Sequence, residues 1–289
     1  QMCIRDSIDK DALLRSGIML PKTIRHLKGE DLKDAIPDKL YIPLTDIRML
    51  TKVDLLMLEM LANCNWERPL YLAISVGSVS KLKFDNYFVQ EGLAFRFTPF
   101  DYKKWGDVGE NRLYAVDVER LYDNVMNRYK YGGLDTPGLY LDETTLRTCW
   151  YHRRLFAQLA KELIAQGDNE RAKKVLAYAE QVIPGYNVPE THESGSYDIA
   201  TAYAALGEKT KAVTLAVHLI AEAEDYINWA FSLKGNRIEM VRNDCIYKFW
   251  QWNQYNELLK KIDGEKYKES NRQFEEKYAL FAPTMNYKN

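Results

Sequence analysis

The stretch that decides the fold runs from residue 156 to residue 184 and reads FAQLAKELIAQGDNERAKKVLAYAEQVIP. Small residues recur where two antiparallel helices would touch, at Ala160, Gly167, Ala172 and Ala179. Small side chains let two helices approach closely, and larger apolar ones then fill the sides of the contact, here Phe156, Leu159 and Leu176. Pro184 ends the second helix, because proline cannot continue one. The stretch therefore predicts a helical hairpin.

A second copy of this pattern follows at residues 199–216, IATAYAALGEKTKAVTLA. Gly167 and Gly207 are 40 residues apart, and so are Ala172 and Ala212. Tetratricopeptide repeats have a period of about 34 residues, so a loop of roughly six extra residues, within 185–194, separates the copies. The shared spacing predicts a tetratricopeptide-like repeat domain over residues 143–289. A third hairpin between Tyr226 and Ile262 is expected to cap it.

The first half of the chain has a mixed pattern. Apolar residues at helical spacing predict an amphipathic helix over Asp46–Asn63, and short apolar runs predict a buried strand over 68–76 and a half-buried one over 93–99. Helices are further expected over 85–91, closed by Gly92, and over Asp117–Tyr129. With that order, the two strands could form a short parallel pair. The predicted fold class is mainly α, with a small α/β subdomain over residues 8–142, and residues 1–7 are set aside as a non-native head.

Composition and charge exclude several classes of protein. The chain is 46% apolar and 28% charged, which is typical of a folded globular protein. Its net charge of −1 and lack of a basic stripe argue against nucleic acid as a partner. No apolar run is long enough to span a bilayer, and no signal peptide is present.

Motifs for catalysis or for metal or cofactor binding are absent. Neither a phosphate loop nor a nucleophile elbow can be found, and the cysteines and histidines do not have metal-ligand spacing. The pair Asp142-Glu143 is interpreted as the acidic first turn of a helix rather than an acid–base pair. No catalytic, cofactor or metal residue is therefore predicted.

An excess of aromatic residues, with 20 tyrosines and 6 tryptophans, is the remaining signal for function. Aromatic faces stack on sugars and fill protein interfaces, although most pack between helices. Charged residues beside the apolar runs are expected to form an ion pair between the two strands, with ligand contact as the alternative. The candidate ligand or interface residues are Trp66, Arg68, Tyr71, Glu91, Arg96, Trp150, Tyr151, Trp250 and Trp252.

Several collinear segments carry a resemblance to a known family. Residues 65–72, NWERPLYL, resemble a stretch of the bacterial, mainly Bacteroidetes, family called domain of unknown function 2723, which is related to protein O-mannosyltransferases. Residues 11–18, 85–96, 130–133, 140–143 and 154–160 resemble further segments of that family in the same order. Glu67 and Phe95 depart from its pattern, where lysine and tyrosine are usual, so a ligand role at those two positions is in doubt.

The resemblance implies a membrane context and a choice of functions. Such proteins resemble multi-pass glycosyltransferases of the GT-C type, whose catalytic membrane half would lie upstream, so no catalytic residue is carried over. The expected role is a non-catalytic, periplasmic C-terminal domain that binds a protein or an acceptor polypeptide or glycan, partnered by the membrane-spanning part of the same natural protein. A free-standing sugar-binding or carbohydrate-active module, and a purely structural or dimerisation domain, are the alternatives.

Overall fold

The computed structural model describes residues 2–3, 8–42, 49–64, 66–76, 84–108, 114–233 and 237–285. The chain divides into two compact units, Gln1–Arg128 and Tyr129–Asn289. The sequence pattern changes later, at Asp142, but the segment before it packs within the second unit. The Tyr131 ring contacts His152, and the Asn187 side chain donates to the carbonyl of Leu134. The predicted fold class, mainly α with a small α/β N-terminal part, is confirmed.

The first unit is built around a four-stranded sheet. Its strand order is β3-β5-β4-β6, in which β5 pairs antiparallel with both β3 and β4, and β4 pairs parallel with β6. A separate antiparallel pair joins β1 to β2. The elements are β1 (Met2–Cys3), α1 (Lys10–Arg15), α2 (Gly29–Ala35), β2 (Tyr41–Ile42), α3 (Lys52–Asn63), β3 (Tyr71–Ala73), β4 (Phe88–Gln90), β5 (Ala94–Phe97), β6 (Ala115–Val116) and α4 (Val118–Asp123).

Three predictions for this sheet are wrong and one is confirmed. The segment 85–91 is not a helix, since one 3₁₀ turn at Asp85–Tyr87 leads straight into β4. All three β4 residues are buried, so their backbone groups need hydrogen-bond partners. A strand that lies between two other strands has such partners on both sides, whereas the ends of a short helix would not. The strand expected over 68–76 shortens to β3, which is an exposed edge strand rather than a buried one. The strand expected over 93–99 is present as β5. It pairs antiparallel with β3, so the expected parallel pair is wrong.

Two helices of the first unit have boundaries that their caps explain. Helix α3 begins at Lys52, because Thr51 and Asp54 form a capping box there, while the predicted start near residue 46 lies outside the described residues. Helix α4 begins after Asp117, whose carboxylate caps the Arg120 amide. It continues as a single π turn over Asn124–Arg128.

The second unit consists of helices in sequence-adjacent hairpins. They are α5 (Glu143–Ala165), α6 (Asn169–Val182), α7 (Ser196–Ala205), α8 (Lys209–Ser232), α9 (Arg237–Met240), α10 (Arg242–Ile262) and α11 (Gly264–Met285). Helix α5 packs on α6 and α7, α7 on α8, and α10 on α8 and α11. Helix α8 continues beyond Tyr226, so the third hairpin is α10–α11 and not the predicted 226–262.

The shared glycines of the two hairpins have the same structural role. Gly167 and Gly207 both adopt left-handed backbone angles, with φ of 81° and 79°, directly after a helix. In each copy the next amide, that of Asp168 or Glu208, returns to a carbonyl in the last helical turn. This closure needs a positive φ that favours glycine. The small residues Ala160, Ala172, Ala179, Ala200, Ala212 and Ala216 are buried, as the hairpin prediction requires.

Candidate functional site

The carboxylate of Glu91 forms the centre of the first unit's charged cluster. Glu91 follows β4 and is buried. The Tyr71 hydroxyl donates to its Oε2 at 2.8 Å, and Arg120 Nη1 donates to both oxygens at 3.1 and 3.2 Å. Arg96 Nη1 lies 3.6 Å from Oε1. An ion pair is therefore present between Glu91 and Arg96, with Arg120 as a third member, but it joins the end of β4 to β5 and not the two strands for which it was predicted.

Both arginines also bind the C-terminal end of α1. Arg96 donates to the carbonyl and the hydroxyl of Ser16 at 3.0 and 2.5 Å, and Arg120 Nη2 donates to the Gly17 carbonyl at 2.5 Å. A Cβ at Gly17, where φ is +64°, would lie 2.8 Å from that same guanidinium. Three segments that carry the family resemblance, 11–18, 65–72 and 85–96, thus meet at one carboxylate.

A polar cleft of about 610 Å³ opens beside this cluster. Its lining includes Tyr71, Glu91 and Arg120 together with residues of the α4 region, namely Asp117, Glu119, Asp123, Asn124 and Arg128. Burial raises the pKa of Tyr71, and the hydrogen bond to Glu91 raises it further. The Tyr71 phenol is therefore a donor to Glu91, whose carboxylate also pairs with Arg96 and Arg120. This arrangement joins α1, the sheet and α4, which is a structural role.

The other two candidates in this unit lie apart from the charged cluster's polar contacts. Trp66 is half-buried, has a positive φ of 59°, and stacks on Phe97 with the ring centroids 6.1 Å apart. Arg68 is exposed and takes no part in the ion pair. The structure therefore separates these residues by role, with Trp66 packing in the core and Arg68 on the surface.

An aromatic cluster in the second unit surrounds His192. The imidazole stacks on Tyr197 at 5.7 Å and contacts the rings of Tyr247, Trp250 and Tyr255 at 6.1, 5.6 and 5.8 Å. Its Nδ1 lies 2.9 Å from the Tyr255 hydroxyl oxygen. We call the two exposed rings of this cluster, Tyr247 and Trp250, the aromatic ledge. They stack in parallel at 5.6 Å on the surface of α10.

Polar side chains lie beside the aromatic ledge. Gln251 donates to Glu193 Oε1 at 3.0 Å, and Lys248 donates to Glu222 Oε1 at 2.8 Å. Within the described residues, the buried atoms Gln251 Oε1 and Glu222 Oε2 have no hydrogen-bond partner. The ledge is therefore an exposed aromatic surface flanked by buried and half-buried polar groups, and tyrosine and tryptophan are residue types enriched at interfaces.

The remaining candidates have different positions. Tyr151 is half-buried beneath the Arg154 guanidinium, 5.7 Å from its ring centroid, and Arg154 in turn binds the Glu193 carbonyl. Trp150 is half-buried, and its Nε1 has no partner among the described residues. Trp252 is fully buried and donates to Ser270 at 2.8 Å, so it belongs to the core. Of the four aromatic candidates in this unit, Trp250 alone lies on the ledge.

Sequence reasoning missed several members of both clusters. His192 lies in the loop between the two repeat copies, Tyr197 lies at the start of α7, and Tyr247 was not singled out beside Trp250. A spacing of three residues on a helix places Tyr247 and Trp250 on one face, which was the available signal. Arg120 had no comparable signal, because its partner Glu91 is remote in sequence.

Burial of His192 yields a prediction about pH. Burial lowers the pKa of His192, and likewise that of His152, below the usual value of about 6.5. The unfolded chain then binds more protons than the folded one just below pH 6.5, so the stability of the second unit should fall as pH decreases through that range. Hydrogen exchange of α7 and α10 amides at pH 7.5 and pH 5 would measure this loss.

The variant His192→Gln should remove part of that pH dependence. The exposed His218 offers a matched control as His218→Gln. If the His192 and His218 variants keep the same pH dependence as the parent chain, protonation of His192 is not linked to folding.

The fold and these two clusters define a class of protein: a two-unit, mainly helical protein with a buried charged cluster in one unit and an exposed pair of stacked aromatic rings in the other. Residues 3–119 match the model of a family described as TMEM260-associated domain 2. The match lies within the first unit and covers less than half of the 289 residues. That description associates the segment with a membrane protein. It does not bear on the family of unknown function 2723, which stays a prediction.

No curated protein and no solved structure gave a match to the chain. Among the described residues, no helix combines the length and apolar character needed to cross a bilayer. No group of three or more histidine, cysteine or acidic residues in those same segments could hold a metal ion.

Proposed function

We propose that this chain is a non-catalytic, periplasmic domain of a membrane-embedded, GT-C-type glycosyltransferase-like protein, and that it binds a protein or an acceptor polypeptide. The aromatic ledge on the second unit carries the proposal. The membrane-spanning part of the same natural protein is its expected partner in the bilayer. The helical hairpins, with their tetratricopeptide-like spacing, supply the scaffold on which the ledge lies.

The aromatic ledge has the properties of a binding surface. Trp250 is 48% exposed although it is a large apolar side chain, and Tyr247 is nearly as exposed. Both rings contact the half-buried His192, which the buried Tyr255 holds in place, so little side-chain entropy would be lost on binding. Tryptophan and tyrosine are enriched among residues that dominate binding energy at interfaces.

Two observations support the membrane context. The family matched over residues 3–119 is described as associated with TMEM260. The motifs at residues 11–18, 65–72 and 85–96, which resemble a family of multi-pass proteins, meet at the Glu91 cluster. Recovery of the natural upstream coding sequence would test this part, because several spanning segments before residue 8 are expected and a start codon near residue 8 would contradict it.

A sugar-binding function is the second candidate. Exposed aromatic rings stack on sugar faces, and the half-buried Glu193 carboxylate can accept hydrogen bonds from hydroxyl groups. The same observation thus favours both candidates, and the ligand tested decides between them.

Panning a displayed peptide library against the full chain, with a glycan array in parallel, tests the proposal. We expect peptides to be enriched and to lose at least tenfold in affinity with Trp250→Ala, since truncation of a tryptophan anchor removes about 2 kcal/mol or more. Trp229, which is 49% exposed and lies outside the His192 cluster, provides the matched control as Trp229→Ala. Glycan binding that depends on Trp250, without peptide enrichment, would favour the sugar-binding function over polypeptide binding. Equal losses in both variants would remove the ledge from the proposal.

A further inference from the structure

Among the described residues, β3 is an edge strand of the first unit's sheet, and no strand pairs with its outer side. Register with β5 places Leu70, Leu72 and Ile74 in the paired positions, because Phe97 N donates to the Leu70 carbonyl and Ile74 N to the Leu93 carbonyl. The backbone groups of Tyr71 and Ala73 therefore point outward. In the part of the chain that the structure describes, the Tyr71 N–H and C=O and the Ala73 N–H have no hydrogen-bond partner.

An apolar groove of about 230 Å³ lies along the same edge. Leu70 and Leu72 of the β3 region form one side of its lining, and α3 forms the other with Val53, Met57 and Met60. Leu70 and Leu72 point to the α3 side of β3, and Tyr71 at the strand's edge borders the groove while its hydroxyl reaches Glu91 in the polar cleft. An incoming strand would meet one apolar face and one polar face.

The size of the exposed apolar patch argues for a short segment. Four exposed side chains line the groove, namely Val53, Met60, Tyr71 and Val76. Their exposed surface amounts to roughly 350 Å², less than half of the about 800 Å² that each partner buries in an interface of standard size. A second globular copy would need more surface, whereas a few residues of extended chain would cover this patch.

We propose that the β3 edge binds an extended polypeptide segment as an added antiparallel strand, with apolar residues at every second position facing the groove. Unpaired backbone donors and acceptors in a row are satisfied by another extended backbone. The groove selects for alternating apolar side chains, because successive residues of a strand point to opposite faces. This surface is separate from the aromatic ledge and does not depend on the function proposed for it.

The geometry specifies a probe peptide. In an antiparallel pair, the residue opposite Tyr71 exchanges both backbone hydrogen bonds with it and has its side chain on the Tyr71 face. The residues facing the groove have their N–H groups directed away from β3. A labelled peptide with valine at alternate positions, threonine between them and lysine at both ends therefore directs its threonine amides at β3.

Two N-methylated forms of this peptide test the proposal on the unmodified full chain by fluorescence anisotropy. Methylation of the threonine nitrogens removes the donors that face β3 and should weaken binding at least tenfold. Methylation of the valine nitrogens should change the affinity less than threefold. If the two methylated peptides bind with equal affinity, strand addition is wrong. If only methylation of the valine nitrogens weakens binding, the antiparallel register is wrong. If the parent peptide does not bind at about 1 mM, the site itself is wrong.

Two variants on α3 test the groove with a matched control. Val53 is 41% exposed in the groove lining, and Leu55 is 54% exposed but does not line it. Val53→Asp should weaken the parent peptide at least tenfold, and Leu55→Asp should leave it within twofold. Sedimentation equilibrium should show that the chain is a monomer. A dimer that dissociates with Val53→Asp would contradict peptide binding and show that a second copy of the chain occupies the groove.

Discussion

Replacing Glu91 with alanine should destabilise the first unit by about 2–4 kcal/mol. Removing one member of a buried ion pair leaves the other charge uncompensated, at a typical cost of about 3–5 kcal/mol. The Arg96 side chain is only 3% exposed and would bear this cost, whereas that of Arg120 is 34% exposed and water would screen it. The Tyr71 hydroxyl would also lose its acceptor, and the contacts between α1 and the sheet would weaken.

Hydrogen exchange read separately for the two units is the suitable measurement, because a two-unit chain need not unfold in one step. Protection should fall in α1, β4 and β5 and stay unchanged in the helices of the second unit. Glu91→Gln, which keeps an acceptor for Tyr71 without the charge, should have an intermediate effect. Glu67→Gln, at an exposed position, is the control. Equal effects of the Glu91 and Glu67 variants would show that the charged cluster does not stabilise the unit.

Replacing Arg153 with methionine should destabilise the second unit by about 2–4 kcal/mol. Each buried acceptor that loses its hydrogen-bond donor costs about 1–3 kcal/mol, whereas removal of the buried charge itself is favourable and offsets part of that cost. Arg153 lies on α5, is 3% exposed, and binds the loop that follows α6. Its guanidinium donates to the carbonyls of Ile183, Val188 and Pro189 at 3.0, 2.6 and 2.8 Å, and to the Ser194 hydroxyl at 3.1 Å.

The chemistry of the guanidinium explains why arginine occupies this position. Burial lowers the pKa of Arg153 to about 10, so the side chain stays charged at neutral pH and its planar fork reaches four acceptors at once. Lysine cannot reproduce that geometry, and Arg153→Lys should recover only part of the loss. Arg147→Met, on the exposed face of the same helix, provides the control. Fluorescence of the ledge should report disorder of the 183–194 loop in the Arg153 variants, and an unchanged unfolding curve for Arg153→Met would contradict the assignment.

The Arg153 contacts also connect this loop to the candidate function. The loop carries His192, whose ring contacts that of Trp250, and Glu193, which accepts a hydrogen bond from the neighbouring Gln251. Residues 185–194 were expected only as an insertion that lengthens the repeat. In the structure, the insertion supplies part of the aromatic cluster. The extra residues that lengthen the repeat period therefore contribute to the candidate site.

Local sequence determined the helices of the second unit and their turns. The repeated glycine and alanine positions predict the hairpins because both requirements are local: a positive φ after a helix at Gly167 and Gly207, and small side chains where neighbouring helices touch. Caps such as Thr51 and Asp117 likewise fixed where α3 and α4 begin. The aromatic excess indicated an interaction surface, and Trp250 was among the residues named for it.

Tertiary structure alone decided the segment 85–91, the edge position of β3 and the membership of both clusters. Phe88-Val89-Gln90 becomes a strand because β5 and β6 pair with it on either side, and the apolar pattern of three residues cannot distinguish that from a helical turn. Arg120 reaches Glu91 across 29 residues, and His192 reaches Tyr255 across 63. Contacts at such separations depend on how whole elements pack, so no spacing within one element could predict them.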